Sequence, residues 1–238
     1  MQSRLHFKYS YANAKRTSPQ ARVNKCYLAL RRIVSNQQTS IVNKHINNIT
    51  VFCGANAGSS AIYQQQAQAL GAHIAKRGAR LIYGGGRVGL MGILADAVLA
   101  HGAEAIGVIP DFLQTKEIAH PNLTQTIIVS SMHERKMAMY NMTDAVIALP
   151  GGFGTMDELF EMLTWAQLGM HQKPIVLLNI NNYYHHSKLQ IGVMIQEGFL
   201  KADYARMIMF ADTIEDAFTA IETFNPPDVE KWITPGKE

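Results

Sequence analysis

Pro150-Gly151-Gly152-Phe153-Gly154-Thr155-Met156-Asp157-Glu158 follows an apolar run, Ala145-Val146-Ile147-Ala148-Leu149. The run reads as a buried strand. Beyond the glycines, Leu159, Met162, Leu163 and Ala166 are spaced as one face of a helix. The glycines therefore occupy a strand-to-helix turn, where they allow close approach of a ligand to the backbone. The free N–H groups at the start of the helix, with its dipole, make an anion site. A phosphate is the natural guest, and Glu158 stands one turn further on, within reach of whatever the phosphate carries. Thr155-x-x-Glu158 is also a capping box, which needs no ligand. A cap does not need three glycines before it, so the turn reads as phosphate-binding, with no reaction attached.

Outward from this turn the pattern repeats. Apolar runs begin at Ile49, Ala79, Ala105, Thr126, Pro174 and Met207. Helical periodicity separates them over about 59–77, from Leu90 to Leu99, from Ser131 to about Asn141, over about 185–199 and over 213–224. Residues 111–122 read as irregular. Strands that are apolar throughout and alternate with helices imply an α/β fold, a parallel sheet covered on both faces. Right-handed crossovers make it doubly wound, and ligands then bind at the carboxyl ends of its strands. The Gly-rich turns all follow strands and so gather on that edge.

The chain of 238 residues carries a net charge of +4, but the charge is unevenly placed. Residues 1–48 hold nine of the 22 Lys and Arg residues and none of the 18 acids, so the remainder has 13 basic and 18 acidic side chains, a net of −5. The basic balance belongs to the extension, which removes the argument for nucleic-acid binding. The expected organisation is a basic extension over 1–48, a single domain over 49–224 and a tail over 225–238. The extension is Arg-rich and acid-free, as organellar transit peptides are. A disordered arm fits its composition equally well, and Cys26 to Val34 has the makings of a short basic helix. No apolar run reaches the length of a membrane span. Cys26 and Cys53 form neither a disulfide framework nor a zinc motif. The expected compartment is the cytoplasm, with organellar targeting by 1–48 left open.

Three further groups carry chemistry. Gly84-x-Gly86-x-x-Gly89 has the spacing of a dinucleotide fingerprint, but it follows the second strand, and Glu104 precedes the next strand instead of ending it. Gly85 and Gly86 then read either as a packed turn or as a backbone wall for a nucleotide. Met132, Arg135, Met139 and Met142 share one helical stripe. An arginine inside an apolar stripe calls for a carboxylate or phosphate, expected to be held bidentately. Lys136 reads as a second phosphate contact or a solvated side chain, and Ser131 with Glu134 as a cap. Met162 and Trp165 fall on the side of Glu158, where they would wall an apolar pocket or simply fill core. The scattered histidines, His185-His186 included, make no metal site.

Tyr83-Gly84-Gly85-Gly86, Gly89-Leu90-Met91-Gly92, Met132-His133-Glu134-Arg135-Lys136 and Pro150-Gly151-Gly152-Phe153-Gly154-Thr155-x-x-Glu158 occur here in one order and spacing. Over about residues 49–224 the sequence resembles the cytokinin-activating phosphoribohydrolases of the Lonely Guy type, many of which carry the label "lysine decarboxylase". The resemblance implies a Rossmann-like fold and a homodimer. It implies an enzyme that cleaves the N-glycosidic bond of a nucleoside 5′-monophosphate to free base and ribose 5-phosphate. N6-substituted adenines are the usual products, AMP is often accepted, and no metal or organic cofactor is required. Position by position, Arg135 and Glu158 match the catalytic pair and Gly152, Phe153, Gly154 and Thr155 the phosphate turn, which Gly151 opens. Lys136, Glu117 and Thr164 match nucleotide contacts. The first loop, Cys53 to Gly58, has Ala and Asn where other members often have serines. Two other classes remain: a nucleotide-binding regulator using the same pocket, and a pyridoxal-dependent decarboxylase, for which no lysine stands in a convincing Schiff-base context.

Overall fold

Seven short strands, each followed by a helical crossover or a loop, build one parallel sheet. The computed structural model describes residues 46–114 and 119–228. Residues 1–45 of the basic extension, with the stretch 26–34 where a short helix is expected, and Glu117 lie outside the described residues. In chain order the elements are β1 (Asn48–Phe52), α1 (Ala61–Lys76), β2 (Arg80–Tyr83), α2 (Gly89–Ala100), β3 (Ala105–Pro110), a single turn α3 (Asp111–Gln114) and β4 (Gln125–Val129). Then come α4 (Met132–Met142), β5 (Ala145–Ala148), α5 (Phe153–Gln167), β6 (Ile175–Leu178), α6 (His185–Gln196), β7 (Ile208–Ala211) and α7 (Ile214–Glu222). The single turn α3, where an irregular stretch stood, and two 3-10 turns at Ile180–Asn182 and Ala202–Met207 depart from the expected pattern; elsewhere the ends move by one to three residues.

The strand order is β4-β3-β2-β1-β5-β6-β7, and every pair is parallel. The sheet is thus doubly wound and Rossmann-like. The winding reverses between β1 and β5, where Ile49 pairs with Ala145 and Phe52 with Ala148. Loops leaving these two strands depart in opposite directions and leave a crevice between them. Tyr83, Ile147, Val176 and Leu177 are completely buried, because helices cover both faces. Burial of one such side chain stabilises by about 1.5–3 kcal/mol. A central strand therefore has no polar alternation to offer, and none is seen in β5 or β6. Among the described residues no helix is long and apolar enough to cross a membrane.

The helix starts differ in a way that bears on the site. Ser131 caps α4: its hydroxyl accepts from the Glu134 N–H at 3.2 Å, while the Glu134 carboxylate accepts from the Ser130 N–H at 2.9 Å. The cap of the anticipated box is formed, while its return bond reaches one residue further back, to Ser130 instead of Ser131. These hydrogen bonds hold the Glu134 carboxyl below its ordinary range. At α5 the alternative reading of Thr155 and Glu158 as a box is overturned. The helix starts at Phe153 with Gly152 as N-cap and no side-chain cap. Thr155 already lies inside the first turn, which leaves Glu158 free of capping duty.

Candidate active site

The turn after β5 lies beside the loop after β1, at the strand reversal. The Gly54 N–H donates to the Pro150 carbonyl at 3.1 Å and stitches the two loops together. A side chain at Gly151 would strike the Thr155 hydroxyl and the Gly54 backbone, so glycine is required there by close packing. At Gly152 and Gly154 a Cβ would meet nothing within 4 Å. These two positions face open space. Among the described residues, no carbonyl or side chain accepts from the amides of Gly151 through Thr155. The turn therefore presents a row of unsatisfied donors at the positive end of a four-turn helix.

Glu158 stands beside this row with its side chain only 11% exposed. Arg135, equally buried, places Nη1 3.4 Å from Glu158 Oε1. Its other donors are taken up by backbone: Nε donates to the Val108 carbonyl at 3.0 Å and Nη2 to the Gly84 carbonyl at 3.2 Å. The expected bidentate grip is thus replaced by a single contact. The guanidinium is anchored to the ends of β2 and β3 and offers the carboxylate one nitrogen. Gly84 makes this possible, because a Cβ there would sit 1.9 Å from Nη2. Burial pushes the Glu158 carboxyl above its ordinary range, and Arg135 only partly offsets that. A carboxylate of raised proton affinity, kept ionisable by one cation, is better suited to accept a proton than an exposed one.

Glu158 also borders a small cleft whose apolar wall is Phe52, Met139, Tyr140, Met162 and Trp165. Trp165 meets Tyr140 edge-on, ring centres 5.0 Å apart. Met162 and Trp165 therefore do line the space beside the acid. Lys136 and Glu161 form its polar rim. The Lys136 ammonium lies 3.1 Å from Glu161 and 3.3 Å from Asp157. Burial opposes its charge, but the hydrogen bonds to Glu161 and Asp157 win and hold it above the ordinary lysine range. Cys53 is buried near the acid; burial first, and the Glu158 charge second, keep its thiol protonated and unsuited to nucleophilic work.

Other anticipated residues sit apart from this cluster. Thr164 is exposed and its hydroxyl bonds back to the Phe160 carbonyl at 2.7 Å. Gly85 and Gly86 are buried under Ala119 and His120: the His120 N–H donates to the Gly85 carbonyl at 2.9 Å, and Gly86 bridges to Ala119. In the fingerprint-like stretch, Gly89 adopts φ +64° against the Ala55 backbone. Packing therefore accounts for that glycine. The partners of Lys136 and the seat that Gly84 gives Arg135 were not anticipated. The Gly84-x-Gly86-x-x-Gly89 spacing marked Gly84 in advance, but as a turn glycine and not as the seat of an arginine.

A doubly wound, Rossmann-like sheet with a buried carboxylate–arginine pair beside an uncapped Gly-rich turn defines the class, an α/β protein with an acid set next to the amides of a helix start. Known proteins agree with that class. A family model described as "Possible lysine decarboxylase" matches residues 91–221. The cytokinin riboside 5′-monophosphate phosphoribohydrolase LOG of Oryza sativa subsp. japonica is 43% identical over 75% of this chain and 74% of its own length. The enzyme of the same name from Rhodococcoides fascians is 46% identical over 74% of this chain and 89% of its own. The chain belongs to the Lonely Guy family of phosphoribohydrolases. Among solved structures, the molybdenum cofactor binding protein of Rippkaea orientalis shares the fold, with a TM-score of 0.58 over 75% of this chain and 96% of that one at 21% identity.

Proposed function

We propose that the protein hydrolyses the N-glycosidic bond of a nucleoside 5′-monophosphate, AMP or an N6-substituted adenosine monophosphate, to free base and ribose 5-phosphate. One observation carries this reading: a buried, arginine-paired Glu158 one helical turn from five unsatisfied amides. The 5′-phosphate docks on the amides of Gly151 to Thr155, and Phe153 contributes its backbone N–H, its ring being exposed. Remote binding energy then sets the ribose against Glu158. As the bond between C1′ and the base nitrogen breaks, positive charge develops on the ribose, and the Glu158 carboxylate stabilises it. Glu158 takes a proton from the attacking water, whose oxygen bonds to C1′. The departing base takes a proton from solvent, and Glu158 returns its own to solvent as the products leave. Arg135 keeps the carboxylate ionised and aimed.

The base lies in the cleft between Trp165, Met162 and Tyr140. Lys136 contacts the nucleotide from the rim, as Glu117 and Thr164 do by resemblance to the family. Gly85 and Gly86 serve as the backbone next to Gly84, the seat of Arg135, and not as part of the cleft. The activity for which the relatives are named supports the same substrate class for this chain, and either cytokinin activation or nucleotide salvage would use the site. A homodimer in the cytoplasm completes the proposal. The family model's label favours a Schiff-base lysine, but Lys136, the lysine of the cleft, is held charged between two carboxylates, the opposite of what that chemistry needs.

Chromatography of the full chain with AMP and with isopentenyladenosine monophosphate, beside their unphosphorylated nucleosides, tests the reading. Base release from the monophosphates alone is the expected outcome. Saturable AMP binding with no base released would replace the enzyme by a nucleotide-binding regulator.

A further inference from the structure

Between β6 and α6 the chain makes an unusual turn. Asn181 and Asn182 both adopt left-handed backbone, φ 52° and 57°. This conformation is uncommon outside glycine, and two in succession mark a segment held by its surroundings. What they present is a pair of tyrosines. The Tyr184 ring is fully buried, and its hydroxyl donates to the Leu149 carbonyl at 2.6 Å. Tyr183 is 43% exposed, and its hydroxyl donates to the carbonyl of Gly151, the second residue of the Gly-rich turn. The Tyr183 ring is fixed edge-on against Tyr184, centres 5.0 Å apart, and against Tyr63 of α1 at 6.2 Å.

The consequence follows from peptide planarity. In a trans peptide the C=O of one residue and the N–H of the next point in opposite directions. The chain contains no cis peptide among its described residues. Gly54 holds the Pro150 carbonyl, so the Gly151 N–H is turned the other way. Tyr183 holds the Gly151 carbonyl, so the Gly152 N–H points away from Tyr183; a Cβ at Gly152 or Gly154 would meet nothing within 4 Å, so space is open around this amide. A glycine pair has little backbone preference of its own, so these clamps replace what side chains would otherwise do.

We propose that Tyr183 is a positioning residue: its hydroxyl locks the Gly151–Gly152 peptide so that the Gly152 amide is preset for the 5′-phosphate. The inference rests on the reading of this turn as the phosphate site. Tyr184 is the internal contrast. The carbonyl it holds belongs to the Leu149–Pro150 peptide, and proline has no N–H to aim. Tyr184 therefore braces the strand end and has no such lever on the anion.

The test titrates the full chain, Tyr183→Phe and Tyr184→Phe with ribose 5-phosphate, and records thermal midpoints and steady-state kinetics alongside. Tyr183→Phe keeps both ring contacts and should leave the midpoint nearly unchanged. It should raise the Kd for ribose 5-phosphate and the KM for the nucleoside monophosphate by about fivefold to thirtyfold, the loss of one well-placed hydrogen bond. The acid limb of the pH–rate profile, set by Glu158, should not move. Tyr184→Phe should lower the midpoint with little change in Kd. An unchanged Kd in Tyr183→Phe overturns the inference, as does an equal rise in both variants, which would indicate general loosening. If the unmodified protein binds no ribose 5-phosphate, the phosphate reading of the turn falls and takes this inference with it.

Discussion

Gly84→Ala is a demanding test of the proposed catalytic pair, because Gly84 touches no substrate. Its new methyl would sit 1.9 Å from Arg135 Nη2. An ordinary contact needs about 3.4 Å or more, so the guanidinium must retreat by about 1.5 Å. The backbone at Gly84 has no left-handed φ, and what yields is the end of a flexible side chain. The fold should therefore survive. Retreat stretches the Nη1–Oε1 separation from 3.4 Å. At an effective dielectric of about 20, lengthening it to about 5 Å weakens the attraction by roughly 1.5 kcal/mol. If Glu158 acts as the ionised group, that is about tenfold in kcat/KM near neutral pH, with a further loss from misaiming. Burial already raises the Glu158 carboxyl, and a weaker cation raises it further. The acid limb should thus move to higher pH, and part of the lost rate should return as the pH is raised. The assay is a pH–rate profile of base release with the thermal midpoint measured in parallel. A variant with normal rate and an unmoved acid limb would refute the assigned roles of Arg135 and Glu158.

Other expectations follow from the same geometry. Glu158→Gln and Arg135→Ala should each abolish turnover while the fold survives, read as base release and circular dichroism; near-normal rates in either would remove it from the mechanism. The Glu158 carboxyl is raised in the folded protein, so its proton is held more tightly there than in the unfolded chain. Its contribution to stability is fullest below the ordinary carboxylate range and is lost as pH rises through the folded value. Glu158→Gln should therefore flatten the decline in thermal midpoint over that interval. Trp165→Ala opens the apolar wall and should raise KM for the monophosphate more than it lowers kcat, by about tenfold, as removal of uniform binding does. Thr50→Val breaks a buried hydroxyl pair with Thr143 and should lower stability by about 1–3 kcal/mol in denaturant titration without touching the pH profile.

Much of this was legible in advance, for identifiable reasons. Strands of a doubly covered parallel sheet are apolar throughout, so β5 and β6 announced themselves. An arginine in a stripe of methionines called for a partner, and Glu158 is that partner. What sequence spacing could not show was competition for donors. Arg135 gives two of its nitrogens to carbonyls 27 and 51 residues away, which leaves one for the acid. The Thr155–Glu158 box failed for a related reason. Gly152 starts the helix earlier than a hydroxyl cap would, because Gly151 must lie flat against Thr155 and Gly54. The tyrosine clamp was invisible because its target lies 32 residues upstream, and a Tyr-Tyr pair after a strand looks like ordinary packing. Met162 and Trp165 were readable as a wall, whereas Tyr140 and Phe52 join them only through the tertiary fold.

Arg135 leans on the ends of β2 and β3, while Glu158 rises from the helix beyond β5. The two meet only once β1 has zipped to β5, joining segments about a hundred residues apart, the kind of non-local closure that comes slowly. Turnover is thereby a clock on assembly. In a refolding experiment helical signal should return first and enzymatic competence last, so that recovered activity counts only those molecules whose two half-sheets have met in register.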